Sequence, residues 1–132
     1  MNEFDANVPI YLQIMREIKR AVVTGELKPG DRLPSVRERA EALTVNPNTV
    51  QRAYQELERE GVSETRRGTG SFIVERNELI GELRVEMAGT VISAFIEGMR
   101  SLGFADGAMV ERLEKELRDR GTGGAAMAGG VN

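Results

Sequence analysis

A chain of 132 residues has room for one ordinary domain, or for a small domain with an appendage. Its 40% hydrophobic and 30% charged residues suit a soluble globular protein, and no apolar run nears the roughly 20 residues that a bilayer span requires. Cysteine and histidine are absent, which excludes disulfides and thiolate chemistry and removes the commonest general base and metal ligand. An enzyme is therefore disfavoured and no cofactor is expected. The net charge is −3; residues 1–76 hold twelve basic and twelve acidic side chains, so the whole excess of acid lies beyond them. Bulk charge gives no support for nucleic-acid binding, and any such role must rest on where the arginines stand. The start, Met1 to Asp5, is acidic and lacks the order of a signal peptide, so a cytoplasmic location with no membrane partner is expected.

The first helix is expected from Pro9, with Ile10, Ile14, Ile18 and Val22 as one apolar stripe and Gly25 as its left-handed cap. Lys28-Pro29-Gly30-Asp31 is a turn. Ser35 opens a second helix, with Glu38 completing a capping box and Val36, Ala40 and Leu43 facing inward. Thr44-Val45 form a tight connection to a third helix, capped by Asn46 with Pro47 at its first position. Val50, Ala53, Tyr54 and Leu57 supply its core stripe. Strands are expected at Val62–Thr65 and Ser71–Val74, joined by the glycine-rich tip Arg66-Arg67-Gly68-Thr69-Gly70.

A longer amphipathic helix follows from Glu78 to about Leu102, with Ile80, Leu83, Met87, Val91, Phe95, Met99 and Leu102 on one side. Gly103 breaks it, and a shorter helix from about Asp106 to Arg118 turns Val110, Leu113 and Leu117 inward. Residues 121–132 carry five glycines and read as a disordered tail. The order is mainly α with a small β-hairpin, and the second and third helices have the spacing of a helix-turn-helix.

The third helix carries Asn46, Asn48, Thr49, Gln51 and Arg52 on the side away from its core stripe. Asn and Gln can bond adenine and Arg can bond guanine or phosphate once a helix lies in the major groove. Taken alone, the same residues read as a well-capped helix start with a wet face. Arg37, just inside the second helix, can meet a phosphate beside the helix N-terminus, or can be a surface arginine. The hairpin tip can rest on DNA or be a tight turn with solvated arginines. The weight lies in all three falling at one end of one small unit.

These residues resemble a family. Pro9-Ile10-Tyr11, the run Gly25-Glu26-Leu27-Lys28-Pro29-Gly30-Asp31-Arg32-Leu33-Pro34-Ser35-Val36-Arg37-Glu38, Val45-Asn46-Pro47-Asn48-Thr49-Val50 and Arg67-Gly68-Thr69-Gly70-Ser71-Phe72 look like the DNA-binding domain of GntR-family regulators. The short helical remainder resembles the YtrA subfamily. The resemblance implies a winged helix-turn-helix over 5–76 and a two-helix dimerisation arm over 77–120, built on the Ile80 to Leu102 stripe. It places Arg37 and the Asn48-Thr49 pair, with Gln51 and Arg52 nearby, at the DNA and Arg67 and Gly68 as the wing contact; Ser35 and Asn46, at the two helix starts, are expected at the DNA beside them. The function it implies is a transcriptional regulator, a repressor acting as a homodimer on a palindromic double-stranded DNA operator, with any small-molecule effector unidentified. The rival is a winged-helix protein-interaction module without DNA affinity. Two positions depart from the pattern: Arg39, where an aliphatic residue is usual and whose stem is expected to snorkel to water, and Ser63 in the first strand.

Overall fold

The computed structural model describes residues 4–121, so the expected tail lies almost wholly outside the described residues. Five helices and one two-stranded antiparallel sheet form two compact units, one ending at Glu86 and the other beginning at Met87. The first unit holds α1 (Ile10–Thr24), α2 (Val36–Leu43), α3 (Pro47–Arg59), β1 (Ser63–Arg66), β2 (Gly70–Ile73) and the opening turns of α4 (Leu79–Ser101). The second holds the rest of α4 and α5 (Asp106–Asp119).

The first unit is organised around α3, against which α1 and α2 both pack. Ile14, Ile18 and Val22 of α1 meet Val50, Ala53 and Leu57 of α3 in one cluster that also takes Leu33, Val62 and Ile73. Ile10, expected on the same stripe, is 38% exposed at the first position of the helix. Pro9 stands just before the helix and not inside it, and Gly25 closes it at φ 86°. The start of α1 is further tied by Gln13, whose side-chain amide donates to the carbonyls of Asp5 and Val8.

Both cap expectations hold. The Ser35 hydroxyl accepts from the Glu38 N–H, while the Glu38 carboxylate accepts from the Ser35 N–H. The Asn46 side chain accepts from the Asn48 N–H, with Pro47 at the first helical position. Between them Thr44 adopts φ 57°, a left-handed conformation that a β-branched residue rarely takes. Its N–H and that of Val45 close the end of α2 on the Glu41 and Ala40 carbonyls. This is the tight turn of the helix-turn-helix, and it is made by a residue that resists it.

The strands sit nearer the hairpin tip than expected. Ser63 pairs with Ile73 and Arg66 with Gly70, leaving Arg67, Gly68 and Thr69 as the turn. A third stretch joins them: the Gly30 N–H donates to the Ile73 carbonyl, the Ile73 N–H to Asp31, and the Leu33 N–H to Ser71. Gly30 has φ 91°, and a Cβ there would come within 2.8 Å of the Glu75 carboxylate. Ser63 is buried at 4%, so this strand position is filled by a hydroxyl where the pattern has an apolar side chain.

Two charged groups enter the structure in ways the pattern does not announce. Lys19, on the buried face of α1, reaches Glu60 at 2.6 Å and Glu86 at 2.7 Å. Burial works against its charge, but the two carboxylates outweigh that and hold its pKa above the ordinary value. Arg39 does not simply snorkel: it is half-buried, pairs with Glu17 of α1, and leaves its Nε without a partner among the described residues.

The stripe of α4 divides. Leu79 and Leu83 are buried at 1% and 3% in the core of the first unit, with Ile80 packed beside them. Ile80 and Leu83 therefore do not lie on the open face expected of them. In the second unit Val91, Phe95 and Leu102 are exposed. Gly103 ends α4 at φ 91°, and the Phe104 N–H closes back on Met99. In α5 the inward set is also corrected: Val110, Leu113 and Leu117 are exposed, and Met109 is the residue that α5 buries.

Two predictions concern this fold. Thr44→Gly relieves the left-handed strain and offsets it only partly by chain entropy, so stability should rise by about 0.5–1 kcal/mol. A lower melting temperature would show that the Thr44 side chain supports the turn. The second concerns Tyr54, whose buried phenol donates to the Pro34 carbonyl at 2.7 Å and has its pKa pushed up to about 12. A raised folded-state pKa means that this stabilisation is complete below the ordinary value of 10.0 and fades as pH climbs towards 12. Melting temperatures should fall across that window, and Tyr54→Phe should flatten the fall; an equally steep fall in the variant would assign it to other groups.

Candidate nucleic-acid interface

Three segments that could meet DNA are joined through one short stretch of chain. Asp31 to Leu33 is hydrogen-bonded to β2, and the Arg32 Nε donates to the Thr69 carbonyl at 3.0 Å, directly beneath the wing tip. Two residues later Ser35 begins α2, and between them the Pro34 carbonyl accepts from Tyr54 of α3. The wing, the head of α2 and the flank of α3 are thus bound to a single segment. Arg37, Asn46 and Pro47 also line one shallow depression between α2 and the start of α3.

Within this frame the expected side chains divide by what already holds them. Ser35 and Asn46 are caps first, since each already accepts a backbone N–H. The Glu38 carboxylate also occupies the head of α2, held below the usual carboxylate range by hydrogen bonds from Ser35. A phosphate approaching there meets fewer open amides than a bare helix N-terminus offers, so attraction at that point falls to the Arg37 side chain. Asn48, Gln51 and Arg52 are exposed along α3, and Thr49 is half-buried.

The two arginines of the wing differ. Arg66 lies over the Phe72 ring at 4.1 Å and pairs with Glu64 at 3.0 Å. Arg67, at the turn itself, is exposed and makes no hydrogen bond or ion pair among the described residues. Gly68 beside it has φ 79°, which the tip conformation requires. A Cβ at Gly70 would come within 2.9 Å of the Arg32 guanidinium, so the base of the turn must also be bare.

One contact was not foreseen. The Arg52 guanidinium lies over the Tyr11 ring at 3.9 Å, joining the exposed face of α3 to the first turn of α1. Periodicity assigns Tyr11 to no stripe, so no local pattern in the sequence pairs it with Arg52.

Charge in the first unit is sorted. Lys19, Arg39, Arg59, Arg66 and Arg76 are all ion-paired to carboxylates. Arg37, Arg52 and Arg67 have no carboxylate partner among the described residues. Arg16, Arg20, Lys28 and Arg84 likewise have no ion pair among the described residues but stand on α1, the following loop and α4, and Arg32 has none but is held by the Thr69 carbonyl. A unit with no net positive charge can in this way still present positive potential where α2, α3 and the wing converge. No cluster of potential metal ligands occurs among the described residues, and none of the described helices is long and apolar enough to cross a membrane.

Comparison with known proteins agrees with this geometry. The family model for bacterial regulatory proteins of the gntR family matches residues 10–73. The HTH-type transcriptional regulator YhcF of Bacillus subtilis is 47% identical over 113 residues, which span 86% of this chain and 93% of that protein. The transcriptional repressor YtrA of Bacillus subtilis is 54% identical over 70 residues, about half of either chain. A solved structure of a GntR family transcriptional regulator from Listeria monocytogenes superimposes with a TM-score of 0.75 at 41% identity, covering 85% of this chain and 98% of that one. The protein belongs to the GntR family of bacterial regulators: it is a DNA-binding transcriptional regulator with a winged helix-turn-helix, not an enzyme.

Proposed function

We propose that this regulator is a repressor that binds a palindromic operator as a homodimer, with Arg37, Arg52 and Arg67 at the phosphates or grooves and Asn48 and Gln51 reading bases. The observation that carries the DNA face is where the unpaired cations stand: five cations of the first unit are neutralised by acids, and of those without a carboxylate partner among the described residues Arg37, Arg52 and Arg67 stand on α2, α3 and the wing, where these converge. A repressor rather than an activator is favoured by the likeness to YtrA, whose name describes it as a repressor.

The homodimer rests on α4 and α5. Beyond Glu86 they leave Val91, Ile92, Phe95, Leu102, Val110, Leu113 and Leu117 exposed on two helices with a single buried residue between them, Met109. So much open apolar surface on a small unit needs a cover, and a second copy of the same helices supplies one of matching character. Doubling also answers the weakness of a single module, which has one short recognition helix and no net positive charge to add nonspecific attraction. Two-fold symmetry places half-sites roughly one helical turn apart, about 10 base pairs.

The seam begins after Glu86 in this reading, because Leu79, Leu83 and the Lys19–Glu86 pair belong to the winged unit. A chain ending at Glu86 should fold and sediment as a monomer. It should also lose most affinity, at physiological salt, for a duplex that the full-length chain selects from a random-sequence pool. Phe95→Asp with Met99→Asp in the full chain should do the same. A chain ending at Glu86 that still dimerises, or binds as tightly as the whole, would remove α4 and α5 from the role.

At the DNA face, Arg37→Ala and Arg67→Ala should each weaken binding to that duplex by about 1–3 kcal/mol with melting temperatures nearly unchanged. Gln51→Ala should weaken it more on the selected duplex than on random DNA, because a base contact is lost. Failure of the full-length chain to enrich any duplex would favour the protein-interaction reading.

A further inference from the structure

We infer that Tyr11 is a positioning residue for DNA binding: its ring holds the Arg52 guanidinium at the edge of the recognition helix, ready to meet a backbone phosphate. The inference rests on the reading of α3 as the recognition helix. Arg52 lies four residues after Asn48, so the two share a face of α3, next to Gln51. The side chain is exposed, has no carboxylate partner among the described residues, and touches the Tyr11 ring face at 3.9 Å.

An exposed arginine ordinarily samples many rotamers, and immobilising it on a phosphate costs part of the gain. A guanidinium stacked on an aromatic face keeps its five N–H donors directed outward in its own plane while its rotamers are restricted beforehand. Tyr11 is well suited to this because it is itself held: it is half-buried in the first turn of α1 and packs against the core. The comparison with Arg66 sharpens the point. That arginine also lies on a ring, Phe72, but Glu64 neutralises it, so it serves the hairpin. Arg52 has the ring without the acid, and its charge is left for an anion from outside.

The test is a set of full-length variants titrated on a duplex selected from a random pool by the wild-type chain. Tyr11→Leu should weaken binding about three- to tenfold, the worth of a lost cation–π contact and the looser phosphate contact that follows. Tyr11→Phe keeps the ring and should bind within about twofold of wild type. In an Arg52→Ala background Tyr11→Leu should have no further effect, and each change should lower the slope of log affinity against log salt by up to about one phosphate. A Tyr11→Leu loss that persists undiminished without Arg52, or a Tyr11→Phe loss as large as that of Tyr11→Leu, would overturn the inference and assign Tyr11 a direct or purely structural part. Equal binding by Tyr11→Leu and wild type would also overturn it while leaving DNA binding intact. Selection of no duplex at all would take the recognition-helix reading down first, and this inference with it.

Discussion

The backbone hydrogen bonds that lay Gly30 to Leu33 along β2 are the contact on which the rest of the winged unit depends. A two-stranded hairpin alone is marginal in water, and here the third stretch donates to it from the Gly30 and Leu33 N–H groups and accepts from Ile73 at the Asp31 carbonyl, each bond 2.8 Å long. The same stretch ends in Leu33, buried at 1%, and leads through Pro34 into the cap of α2. One segment thus serves as a sheet edge, a core plug and a helix entry. Because Tyr54 bonds Pro34, α3 is referred to the same frame, and the exposed side chains of α2, α3 and the wing take their relative places from it.

A second constraint explains why the unit ends where it does. Lys19 is almost wholly buried, and two partly exposed acids from beyond α3 and from α4 converge on it. Glu60 follows the last residue of α3, and Glu86 lies in the second turn of α4. Together with Leu79 and Leu83 this pulls the opening of α4 into the winged unit, although its sequence runs on unbroken into the second unit. The helix is one element in the chain and belongs to two bodies in its packing.

Legibility in the sequence followed the range of the interactions. Caps and turns are decided within four residues, so Ser35 with Glu38, Asn46 with Pro47, and Gly25 could all be read directly. The stripe of α3 was equally plain, because a helix packed on one side keeps a single period. The α4 stripe misled for the same reason: periodicity marks which residues are apolar together but not which body covers them, and Leu83 and Phe95 look alike until the fold is known. Contacts between residues distant in sequence left no local trace at all. Lys19 with Glu60 and Glu86, Arg39 with Glu17, and Arg52 on Tyr11 each unite residues that no short-range pattern pairs. The expected DNA residues were legible as a polar cluster, and the caps among them could be read locally, but the Arg52 contact with Tyr11 and the pairing of Arg66 with Glu64 emerged only with the fold.

The neutralisation of so many arginines has a consequence on the scale of the chromosome. A bacterial genome offers on the order of 10⁶ or more competing non-operator positions, and a strongly cationic protein divides itself among them. A winged unit with no excess of bases over acids, in a chain that is acidic as a whole, has little long-range pull towards arbitrary duplex. Most copies would then remain in free diffusion rather than be held in reserve on irrelevant sequence. Control of a promoter would follow the number of molecules in the cell closely, and a modest change in synthesis or breakdown would register as a change in occupancy.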